Sequence, residues 1–174
     1  KYLADDDDSE GQMELANEMG AIFIGTRWLG LSNTEIVQAT DAISDFGGSF
    51  ALADLVRQGI VNQILMPPFV RGAFFDDPLM RTSDGSAPLL DSEHVFYTGI
   101  SNGGIFGTTF MAFSPDVRTG VLHVPGSAFS HMMSHSVAFM LFFQIVEGVY
   151  PEPRDQQMFM ALVQRIFDMG DPIN

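Results

Sequence analysis

An α/β fold with parallel strands is predicted by three observations. Short apolar runs alternate with helical patterns, a glycine-framed serine stands where one such run meets a helix, and prolines punctuate the helix ends. At 174 residues and 19.1 kDa, with 46% hydrophobic and 17% charged residues, the chain can build a sizeable core.

Elements follow in order. Asp5 to Asp8 place negative charge before SEGQMELANEM, predicting a helix over 9–19, with the acidic run a solvated cap rather than a cation site. Residues 21–25 of GAIFIGTRWLG read as a first strand buried on both faces. Helical spacing follows over 34–45 and 50–66, where Leu52, Leu55, Val56, Ile60 and Ile64 recur at three and four and Pro67-Pro68 is expected to stop the helix. Residues 71–93 read as a loop with a helical turn, 94–98 as the second strand, 102–113 as a helix stopped by Ser114-Pro115, and 120–125 as the third strand. Two apolar helices are predicted at 129–147 and 154–168, separated by YPEPRD. Six methionines lie between positions 132 and 169, a composition suited to a flexible apolar cap as well as to ordinary core filling.

Composition excludes several function classes. Eight basic against 22 acidic residues give a formal charge of −14 with no Lys/Arg cluster, so nucleic acid is not an expected partner. With no cysteine there is neither disulfide nor thiolate metal site, and secreted and cytosolic compartments both stay open. The most apolar run, 137–146, is about half of the roughly 20 residues a membrane-spanning helix needs, so no membrane span is expected.

Gly99-Ile100-Ser101-Asn102-Gly103 matches G-x-S-x-G in strand–turn–helix context. Small residues two positions either side of such a serine let strand and helix approach. The helix N-terminus that follows directs amides at a forming oxyanion. On these residues, YTGISNGG together with the upstream AIFIGTRWLGLS, the chain resembles the central part of an α/β-hydrolase of the serine esterase or lipase type. The resemblance implies a mostly parallel sheet flanked by helices, Ser101 as nucleophile and the Asn102 amide as an oxyanion donor. It also implies a partial core over 1–125, a cap-like segment over 126–170, and 171–174 leading into a further strand.

The family's chain order is Ser, acid, His. After Ser101 come His123, His131 and His135, and the one acid between the serine and them is Asp116, in the turn after the elbow helix. Asp168 and Asp171 have no histidine behind them. His123, Met132 and Met133 are substrate-pocket candidates, His123 with a structural role as its alternative. His131 and His135 in HMMSH have helical spacing but no third ligand, so no metal is expected, and no cofactor. Trp28 and Arg27 read as packing and surface residues.

If 21–25 is the family's fourth strand, the third is lacking, so the fold is expected to be incomplete at both ends, with another segment, another chain or a second copy completing the sheet. The expected activity is hydrolysis of a small, apolar carboxylic ester, with acid and histidine supplied from beyond this sequence. The alternative is a non-catalytic binding or structural subunit of the same fold.

Overall fold

The computed structural model describes residues 9–30 and 32–173. The expected acidic cap at Asp5 to Asp8 lies outside them. The chain divides into two units, Lys1–Arg27 with Pro68–His94, and Trp28–Pro67 with Val95–Asn174.

In the first unit, α1 (Ser9–Met19) ends at Gly20, whose φ of 59° lets the chain reverse as the Ala21 amide closes on the Ala16 carbonyl at 2.9 Å. Residues 21–25 belong to no ladder, which corrects the expected first strand. An apolar run becomes a strand only when a neighbour takes its backbone groups, and the described residues offer it none. Further on, Val70–Phe74 form a π-turn broken at Gly72 (φ −100°, ψ −106°), and Pro78–Met80 a 3-10 turn whose Leu79 amide donates to the Asp77 carboxylate at 2.8 Å. At the Thr82–Ser86 turn, the Thr82 hydroxyl, then the Ser86 amide and hydroxyl, donate to Asp84 and lower its pKa to about 2.

The second unit carries the sheet. Two parallel strands, β1 (Tyr97–Ile100) and β2 (Gly120–His123), are joined by a helix, α4 (Asn102–Phe113), with Tyr97 opposite Gly120 and Ile100 opposite His123. The mixed α/β character therefore holds, with helix predominating. Strand β1 starts three residues later than expected because its pairing begins at Tyr97, whose amide donates to the Thr119 carbonyl at 3.1 Å.

Around the sheet stand α2 (Ile36–Ser44), α3 (Gly48–Phe69), α5 (Phe129–His135), α6 (Met140–Val149) and α7 (Pro153–Phe167). Helix α3 runs through Pro67 and Pro68 instead of stopping before them, and the break comes at Gly72. The expected helix over 129–147 is likewise corrected. Ser136, extended at φ −94° and ψ 131°, ends α5 and starts a 3-10 turn (Val137–Phe139), and the two arms meet at 88°. Serine prefers this boundary position because its side chain competes with the helix backbone. No single helix among the described residues is long and apolar enough to cross a membrane.

One core joins these helices. Val56, Ile43 and Leu52 pack with Phe106, Phe129, Val146, Phe159 and Phe167, and Phe106 and Val146 are fully buried. The helices after Pro125 thus share a core with α2, α3 and α4. Tilted rings connect Trp28 to Phe106 at 5.5 Å, Phe106 to Phe129 at 5.6 Å and Phe129 to Phe167 at 5.4 Å, within the range of favourable aromatic pairs.

Candidate active site

Ser101 occupies the turn between β1 and α4 with φ 57° and ψ −116°. A side-chain-bearing residue is strained there, at a cost of about 1–3 kcal/mol, and keeps such a conformation only where its surroundings impose it. Those surroundings can be named. The Ser101 amide donates to the His123 carbonyl at 3.1 Å, extending the β1–β2 ladder by one bond, while the Ser101 carbonyl accepts the Gly104 and Ile105 amides at 2.8 and 2.9 Å, opening α4. These bonds, with β1 and the end of β2 packed against the start of α4 at Gly99 and Gly104, fix the sharp turn at Ser101. The Ser101 side chain is left exposed at the carboxyl end of β1.

The glycines around it are there for contact. A Cβ on Gly99 would strike the Gly103 carbonyl group, and one on Gly104 the His123 carbonyl oxygen, so β1, α4 and the end of β2 approach closer than any side chain allows. Gly104→Ala is expected to destabilise the protein by about 1–3 kcal/mol through overpacking, read from the denaturant midpoint.

Beneath the turn lies Tyr97, buried, its hydroxyl donating to the Gly103 carbonyl at 2.6 Å. Burial raises its pKa to about 12, against the opposing effect of a hydrogen bond from the Trp28 indole. Since its folded pKa lies above the ordinary 10.0, this group's contribution to stability is complete below pH 10 and lost as pH rises toward 12. Tyr97→Phe is expected to flatten that alkaline decline in urea-denaturation series. Tyr97 was not singled out by sequence reasoning. Its signal is a tyrosine on the buried face of a strand, which needs a partner for its hydroxyl.

Of the remaining candidates, Asn102 and the His123 backbone adjoin the turn. Asn102 begins α4 next to the serine. His123 ends β2 opposite Ile100 and reaches the turn through its carbonyl, its side chain being exposed. Met132 and Met133 are half-buried against the core. Met132 packs where a Cβ on Gly126 would fall, while Met133 lines an apolar pocket that includes neither Ser101 nor His123. Asp116 lies past the far end of α4, roughly 18 Å of helix from Ser101. The His131 and His135 rings stack at 4.1 Å, and His135 Nδ1 lies 2.7 Å from the Ser134 hydroxyl and 3.0 Å from the His131 carbonyl. His94 pairs with Asp91 at 2.6 Å. Among the described residues no three metal-ligating side chains gather, and no histidine or carboxylate is hydrogen-bonded to the Ser101 hydroxyl.

Protein-family models, curated proteins and solved structures give no match to this chain.

Asp171 has a structural position. Buried to 2% exposure, it accepts the Ala128 amide at 2.9 Å and the Phe129 amide at 2.7 Å, capping α5, and takes the Gln164 side-chain amide at 2.9 Å and the Ile173 amide at 3.0 Å. It holds the loop after β2, in which Val124 and Ala128 have φ of 44° and 59°. With Ser101 these are the positive-φ residues other than glycine among the described residues, and all three stand in the turn after β1 or the loop after β2. Asp168, half-buried, accepts the Gln164 side-chain amide at 3.2 Å and lies 3.9 Å from Arg165.

Proposed function

We propose that the protein is a serine hydrolase of the α/β-hydrolase kind, acting on carboxylic esters with Ser101 as nucleophile. The observation that carries this reading is the strained backbone of Ser101, φ 57° and ψ −116°, at the junction of a parallel strand and a helix. A serine at such a turn presents its hydroxyl clear of the backbone, and the Asn102 amide at the start of α4 is the oxyanion donor this reading uses. The Ser101 oxygen adds to the acyl carbonyl as its proton passes to a base. The tetrahedral oxyanion is held by the Asn102 amide, the alcohol leaves with a proton, and water then releases the acid from the acyl-enzyme.

The base and its carboxylate partner are assigned to residues beyond this sequence. Among the described residues no histidine is hydrogen-bonded to the Ser101 hydroxyl, and Asp171 is committed to capping α5. An apolar acyl or alkyl group is the expected substrate feature, given the phenylalanine- and methionine-rich helices after β2.

A second reading, a non-catalytic subunit of the same architecture, is favoured by the lack of a base on the Ser101 hydroxyl among the described residues. Turnover of a neutral aryl ester by the native protein, compared with its Ser101→Ala variant, decides between the two. Hydrolysis lost with the hydroxyl supports the enzyme, and hydrolysis indifferent to it supports the subunit.

A further inference from the structure

We propose that the pocket between α2, α3, α5, α6 and α7 binds the end of an unbranched alkyl chain carrying an uncharged head group. The pocket lies wholly within the second unit, and Ala39, Ala42, Phe129, Met133, Phe142 and Phe159 are among its walls. Neither Ser101 nor His123 lines it, so the proposal stands independently of the esterase reading.

Three features choose the ligand. Ser49 supplies the single hydroxyl among the lining residues, and that hydroxyl already donates to the Ala42 carbonyl at 3.4 Å. A water needs two to four polar partners, so the space favours hydrocarbon over water. Its volume, about 50 Å³, is a third of the roughly 150 Å³ that accommodates benzene, which admits a narrow chain end and excludes a ring. The small side chains of Ala39 and Ala42, three apart on α2, leave room in the wall where larger residues would fill it, and Met133 in the same lining is a side chain that repacks readily. A net charge of −14 opposes an anionic head group, which sets alcohols and esters above free carboxylates.

The aromatic series supplies a reporter. Phe129 lines the pocket and contacts Phe106, which contacts Trp28, the chain's one tryptophan. Titration of the full chain with n-octanol, followed by Trp28 fluorescence and calorimetry, is expected to show saturable binding of one molecule per chain. Octanoate and cyclohexanol are expected to bind at least tenfold more weakly. Ala39→Phe, which puts a ring into the pocket from a half-buried position, is expected to weaken octanol binding at least tenfold with the thermal transition retained. Ser101→Ala is expected to bind as the parent does, which separates this site from the elbow. Absent saturation, equal binding of octanoate or cyclohexanol, or undiminished binding to Ala39→Phe would each overturn the proposal. Should Ala39→Phe fail to fold, Met133→Ala takes its place. The enlarged pocket is expected to shift preference from octanol toward decanol, and an unchanged preference would count against the assignment.

Discussion

Ser101→Ala is expected to lower ester turnover by at least a thousandfold while leaving the fold intact. The size of the loss follows from chemistry, since an acyl-enzyme cannot form without the hydroxyl and members of such a constellation act as a unit. The retained fold follows from the site. Among the described residues the hydroxyl is exposed and holds no histidine or carboxylate, so its removal orphans no buried group. Ser101→Gly extends the argument. At φ 57° and ψ −116° an L side chain is strained and glycine is not, so this variant should be about 1 kcal/mol more stable than the parent while equally inactive. Stability gained where activity is lost is the signature of a conformation kept for function. Paired denaturation and turnover measurements on the three proteins check it.

Asp171→Ala carries the largest expected cost in stability. Four donors converge on its buried carboxylate, and its removal leaves the Ala128 and Phe129 amides and the Gln164 side chain without it. Buried donors deprived of a partner cost about 1–3 kcal/mol each, so a total on the order of 4 kcal/mol is expected from urea denaturation. Asp171→Asn should recover part of that, because one amide oxygen still accepts at the helix terminus. The loop from Val124 to Ala128 should loosen with it, visible as faster amide hydrogen exchange at Phe129.

The part of the fold that governs the candidate site was legible because its instructions are local. Gly99, Gly103 and Gly104 mark the close approach, Ser114-Pro115 ends α4, and the apolar runs either side of the helix are the two strands that pair. The remainder depends on partners distant in sequence. Residues 21–25 have the composition of a strand, but a strand exists only with a neighbour, and pairing is not written in the run itself. The start of β1 at Tyr97 was set by β2 more than twenty residues away. Ser136 divides α5 from the helix after it although both flanks are apolar and helical in period, so periodicity alone passed over the break. Asp171 read as a late acid with no histidine behind it. Its role emerges from helix α5, 42 residues earlier in the chain.

A nucleophilic Ser101 is detected by covalent labelling. The native protein is incubated with a fluorophosphonate and the modified peptide is mapped by mass spectrometry. The expected result is one phosphonyl group on Ser101, absent from Ser101→Ala and Ser101→Gly and prevented by prior denaturation. Intact native protein that stays unlabelled, or a label on another residue that persists in Ser101→Ala, would contradict it.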